Sequence, residues 1–311
     1  MKKYIIILLA SIAITSCTSN QENKQVNFNN LSFSDIYTIQ VDTFEMDMIS
    51  DATQNSIYIT YSSNNGLNEN ILKLNTSTLN PLEITHPDYS ESREIEIVNN
   101  EIYSISSNDL IKLDLNLNII STNSYFGNNT YYPRLIGYNN TLQLPRGLNN
   151  ILEYDININI YNYPTPILTY MFANKNRMDG EIINDVMYAF GGGDMTVTPI
   201  QATNEIEIYD YLTNTWNTES LPFNVSESFT DKYNNYIFVT GNKLDDFSNG
   251  FVGLYDTDLH TYTTITTSID FSTKSIRGVT ILGNDIYIAY MDFPNTLPAL
   301  VNVKIAKASL L

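Results

Sequence analysis

Few residues of this chain are equipped for chemistry. His86 and His260 fall in turn-like contexts far apart, and no two histidines stand at metal-ligand spacing. Both read as solvated loop residues. No Gly-x-Ser-x-Gly nucleophile elbow occurs. Cys17 is the single cysteine, so no disulfide can form within the chain. The run Asp245-Asp246-Phe247-Ser248-Asn249-Gly250 has acidic residues and a glycine but lacks the spaced ligands and closing glutamate of a calcium loop. It reads as an acidic loop. The residues therefore lead us to expect no catalytic group, no metal and no cofactor.

Arginine is the exception. The chain has five, and Arg93, Arg134, Arg177 and Arg277 precede the recurring positions Tyr103, Gln143, Tyr188 and Tyr287 by 10, 9, 11 and 10 residues. A guanidinium has five donors in a planar fork and two uses fit it here. In one, each arginine bonds a carbonyl or carboxylate of a neighbouring structural unit and ties the units together. In the other, the four converge on an anionic ligand, such as a carboxylated sugar or an acidic peptide, by bidentate pairing. Positions kept in step with a repeat are usually kept for packing, which favours the first use.

The elements that must position these residues are strands. Ile182 to Pro222 reads as strand, Gly-Gly, loop, strand, tight turn and a further strand opened by Trp216. Val186-Met187-Tyr188-Ala189-Phe190 and Glu205-Ile206-Glu207-Ile208-Tyr209 carry the alternation of a pleated sheet. Weaker copies run along the chain. The pairs Ile57-Tyr58, Ile102-Tyr103, Leu142-Gln143, Met187-Tyr188, Ile237-Phe238 and Ile286-Tyr287 recur every 40 to 50 residues. Most follow a turn pair such as Asn99-Asn100, Asn139-Asn140, Asn234-Asn235 or Gly283-Asn284, which suits a two-residue hairpin. An aromatic follows Tyr154, Tyr209 and Tyr255 by seven residues, at Tyr161, Trp216 and Tyr262. The last unit has three strands and then ends, while Asp35 to Val41 is an extra strand before the first unit. If that strand completes the sixth sheet, a ring closes with no open edge there.

Tyr188, Gly191, Gly192, Tyr209, Asp210 and Trp216 resemble the kelch repeat. The resemblance implies an all-β, six-bladed β-propeller of four-stranded antiparallel blades, with the arginines near the central mouth of one face. It also offers a precedent for an enzyme: exported kelch sugar mutarotases act on N-acetylneuraminate, whose carboxylate an arginine-lined mouth would suit.

Lys2-Lys3 precede an apolar run from Tyr4 to Ile14, too short for a permanent span and of the form of an export leader. Ile14-Thr15-Ser16-Cys17 resembles the lipobox of bacterial lipoproteins, which implies a lipid on Cys17. The expected organisation is a leader over 1–16, a lipidated cysteine and polar tether over 17–31, and a propeller over 32–311. Losing Lys2 and Lys3 with the leader takes the charge from −18 to −20. A surface so acidic repels phosphate backbones, so nucleic acid is not an expected partner. The expectation is a lipid-anchored binding module of the bacterial cell envelope, at the periplasmic or outer surface and on the outer membrane. It would recognise a glycan or protein partner at its arginine face, with an acidic-sugar mutarotase as the alternative.

Overall fold

The structure, a computed structural model, describes residues 28–41, 45–63, 68–86, 94–105, 109–124, 134–147, 151–157, 160–162, 175–244, 248–292 and 300–311. Cys17, the leader and Arg93 lie outside the described residues. The strands form six antiparallel sheets in sequence order, each with its first strand innermost. Innermost strands of successive sheets touch one another all the way round, including Lys274–Leu282 of the last against Met46–Asp51 of the first. The molecule is a six-bladed β-propeller with four-stranded blades, and blade four carries a further short ribbon, Lys175–Asn176 with Gly193–Asp194.

The recurring apolar pair explains the ring. Successive side chains of a strand point to opposite faces, and in a propeller each face meets a different neighbour. Met187 packs against blade three and Tyr188 against blade five. Ile57 and Tyr58 divide likewise between blades six and two, and Ile286 and Tyr287 between blades five and one. Six apolar clusters result among the described residues, each shared by two adjacent blades. In blade three Gln143 stands where an aromatic ring stands in the other blades. It is fully buried, and its amide is used: it donates to Glu153 and accepts from Tyr211 of blade four.

Hairpin turns fall where the Asn pairs predict. Asn99 and Asn100 both take positive φ, 55° and 62°, as a two-residue turn demands, and Val98 pairs with Glu101 across them. At the same end of blade four, Asp210 Oδ1 accepts the amides of Leu212 and Thr213. That closes the turn which sets Tyr209 opposite Trp216, their rings 4.7 Å apart. The seven-residue step is therefore hairpin geometry. Leu74 and Pro81 of blade one are paired by the same step without an aromatic. Gly191 and Gly192, at φ 57° and 88°, let the chain pass so close to Val225 and Asn176 that a Cβ would collide.

Closure is as the strand count requires. Ser34–Val41 lies antiparallel to Val301–Ser309 from Ser34↔Lys307 to Val41↔Val301, giving blade six its fourth strand. Phe28 is already part of the packed structure. Phe28 is buried edge-on against Tyr233, Tyr236 and Phe238, and Asn30–Leu31 pairs in parallel with Thr266–Thr267. An apolar ring that fills a blade-five crevice belongs to the core, despite the polar run before it.

Candidate functional site

The innermost strands begin at one face of the disc, and that mouth holds a buried network of charge. Arg134 comes just before the innermost strand of blade three, Ile136–Tyr138. Arg177 precedes that of blade four, Asp179–Ile183, and Arg277 lies within that of blade six. All three reach one carboxylate, Glu227, at the head of the innermost strand of blade five, Glu227–Tyr233. Arg277 Nη1 donates to Glu227 Oε2 at 3.0 Å and Arg134 Nη2 to Glu227 Oε1 at 3.4 Å, while Arg177 Nε stands 3.7 Å away. Asn242 Nδ2 adds a fourth contact at 3.1 Å.

Other blades complete the network. Arg134 pairs with Glu94 of blade two at 2.9 Å and approaches Asp47 of blade one at 3.8 Å, with its guanidinium 4.4 Å above the Phe229 ring. Arg177 Nη2 reaches Glu45 at 3.3 Å. Arg134, Arg277 and Glu227 are almost wholly buried, with side chains 2–3% exposed, whereas Arg177 and Glu45 are 15% and 20% exposed. Even sequence spacing hides uneven placement. Arg134 and Arg177 flank the starts of their strands, but Arg277 sits in a bulge between Ile276 and Gly278, inside a strand that begins at Lys274 rather than at the arginine. They meet only because long side chains converge on the axis.

Electrostatics follow from burial against pairing. Burial alone would depress Arg134, but Glu94, Asp47 and Glu227 outweigh it and hold its pKa above the ordinary value. Arg277 goes the other way: burial, with Arg177 and Arg134 nearby, outweighs Glu227. Glu94 is pushed well above the carboxylate range by burial, opposed by Arg134 and reinforced by Asp47 and Asp179.

Below the mouth, three aspartates repeat one device. The inner edge of each innermost strand faces the axis and has no neighbouring strand to bond its amides. Asp47 Oδ1 accepts from its own neighbour Met48 at 2.8 Å, and its Oδ2 from Ile95 of blade two at 3.1 Å. Asp179 does the same with Gly180 at 2.8 Å and Thr230 of blade five at 2.7 Å. Asp231 bonds Lys232 at 2.7 Å and Ile281 of blade six at 2.6 Å. Each carboxylate clips the open edge of one blade to that of the next.

These features have a counterpart among known families: residues 180–220, most of blade four, match the family model for the Kelch motif. This is a kelch-repeat propeller. A search of curated proteins finds no match to the chain. A kelch propeller is in general a binding module.

The axis of this kelch propeller opens into a cavity of 390 Å³ lined by Glu96, Glu181, Asp231, Lys232 and the three clipping strands. Among the described residues no group of histidine, cysteine, aspartate or glutamate is arranged to hold a metal ion. Lys232 joins Glu181 at 3.0 Å. His260 is a turn residue at φ 53° whose Nδ1 lies 2.8 Å from Glu219. The backbone of His86 ends the outer strand of blade one, Pro81–His86. Glu227 and the clipping aspartates were not legible from sequence. They sit among 34 acidic residues, and only the common axis distinguishes them.

Proposed function

We propose that this protein is an exported, lipid-anchored binding module that recognises a glycan or protein partner at its arginine face. The observation that carries the reading is the exposure gradient within the network. Arg134 and Arg277 are fixed beneath the surface by carboxylates, while Arg177, paired with Glu45, stands at the rim with its side chain 15% exposed. A guanidinium held in place by a rigid base loses little freedom on pairing with an anionic group of a partner. Residues 191–200, with Lys243, Leu244, Ser248 and Asn249, flank the same face and supply further surface. Arg93, at the same point of its repeat, belongs to the proposal by sequence alone.

Recognition fits this site better than the sugar mutarotase. Glu94 and Asp179 already bond Arg134 and backbone amides, and neither presents a free carboxyl to the mouth. The test is binding of the folded protein to a glycan array and to envelope proteins, repeated with Arg177→Ala. Retained thermal stability with lost binding is expected. Binding unchanged in that variant removes the arginine face from the reading, and anomer exchange of N-acetylneuraminate catalysed in an NMR assay would replace recognition by catalysis. Export and anchoring are tested apart, by mass spectrometry of the mature N-terminus. A lipid-modified peptide beginning at Cys17 is expected, and an unprocessed Met1 would refute it.

A further inference from the structure

A second cleft opens on the arginine face, away from the axis, where blade four meets blade five. It has a volume of 750 Å³ and is lined by Pro199 to Ala202, Phe223, Asn224, Lys243, Leu244 and Asn249. We propose that it binds a small organic carboxylate carrying an apolar body, with the acid on Lys243 and the body against Ile200, Phe223 and Leu244.

Lys243 is the reason. Its Nζ lies 3.9 Å above the centre of the Phe223 ring and 5.9 Å from that of Phe251. Among the described residues no hydrogen-bond acceptor or carboxylate meets that ammonium, whose contacts there are the two rings. This is unusual in a chain of charge −18. Lys112, Lys175, Lys232, Lys274, Lys304 and Lys307 all reach a carboxylate of the protein. Burial lowers the pKa of Lys243.

The walls are apolar and held in place. Phe223 is set edge-on by Phe251 at 4.9 Å and Tyr262 at 5.7 Å. The Lys243 amide donates to Asn249 O, and Leu244 O accepts the Ser226 hydroxyl at 2.6 Å, which fixes the hairpin that carries the lysine. Ile200 and Leu244 remain 45% and 49% exposed at the lip, unlike core residues of either blade. Small-molecule sites span about 300–1,000 Å³, with apolar walls and few polar groups. One ammonium matches one carboxylate; a dianion would meet the negative field of the whole chain with only a single cation to offset it.

The experiment is titration calorimetry of the folded protein with 2-naphthoate and with its uncharged analogue 2-naphthamide. Saturable binding of naphthoate is expected, with the amide at least tenfold weaker. Lys243→Met keeps the stem over Phe223 and should weaken naphthoate at least tenfold while leaving the amide unchanged. No saturable naphthoate binding, equal affinity for the two compounds, or full affinity in Lys243→Met would each overturn the proposal. Arg177→Ala separates this cleft from the mouth. Naphthoate affinity should survive that change, and its loss there with Lys243→Met unaffected would move the acid to the mouth and refute the cleft. The comparison of the two compounds on the unaltered protein stands even if a variant misfolds.

Discussion

At the scale of the residue, Glu227 is the side chain on which the mouth depends. Three guanidinium groups from three blades lie within 4 Å of its two oxygens, and two of them are buried with it. Taking such charges out of water is expensive, and the pairs are worth keeping only while both signs are present. Glu227→Gln retains the size and the contact with Asn242 but leaves Arg134 and Arg277 facing a neutral amide. Removing one partner of a buried pair costs about 3–5 kcal/mol, and chemical denaturation of Glu227→Gln should show a loss of that order. Arg177→Ala, which removes a half-buried partner with a second carboxylate near solvent, should lose far less. If the two variants were equally stable, Glu227 would not be the centre of the network. The same contrast sorts the three described arginines of the sequence pattern: two lie buried in the network and one stands at its rim.

At the scale of the element, the clips of Asp47, Asp179 and Asp231 make the inner strands sensitive to pH. Burial pushes Asp179 up to about 8, with Arg134 pulling against it and Asp47 and Glu181 adding to it. Burial, reinforced by Glu181 and opposed by the Ile281 amide, raises Asp231 to about 7. Asp47 is raised for the same first reason. An unfolded aspartate titrates near 3.9. Between that value and the folded one the native state binds more protons than the unfolded state, so stability falls as pH rises through this window. The contribution of Asp179 and Asp231 is fully present below about pH 4 and lost by about pH 8. Melting temperature should therefore decline from pH 5 to pH 8.5. Asp179→Asn, which keeps one acceptor oxygen and cannot ionise, should flatten that decline. A rise in stability across the window would contradict the direction of these shifts.

The strands themselves were legible because they obey local rules. Alternation, Asn turn pairs and the seven-residue step are set by pleat and hairpin geometry, and each reappears in the structure at the residues that signalled it. Even the closing strand follows from counting. What failed to show is what depends on the axis. Asp47 and Asp179 lie two residues before Ile49 and Glu181, the partners of Tyr58 and Tyr188, but Asp231 is itself the partner of Phe238. Two clips therefore share a repeat position and the third does not. Lys243 was hidden for a different reason: in sequence it adjoins Asp245 and Asp246 and is absorbed into an acidic loop, whereas in space it turns to Phe223.

At the scale of the whole molecule, the entry point of the chain orients the disc. First strands run from the arginine mouth to the opposite face, where the turns Asn99-Asn100, Asn184-Asp185 and Asn234-Asn235 lie. Phe28 packs against Tyr233 and Tyr236, the residues on either side of the last of these turns, so the chain enters at the face away from the arginines. Ten residues lie between Cys17 and Phe28. A coil of that length averages about 20 Å between its ends, close to the radius of gyration, about 19 Å, of a globule of this size. A lipid on Cys17 would thus hold the far face toward the bilayer and present the arginine mouth outward. Single dyes attached at Leu212→Cys, in an exposed turn of the far face, and at Thr196→Cys, in the loop after Gly193–Asp194, report this directly. With the lipidated protein on vesicles carrying a headgroup quencher, the dye at 212 should be quenched and that at 196 should not. Quenching in the reverse order would place the arginine face against the membrane and close it to a partner. Equal quenching at both sites would mean that the point of entry sets no orientation.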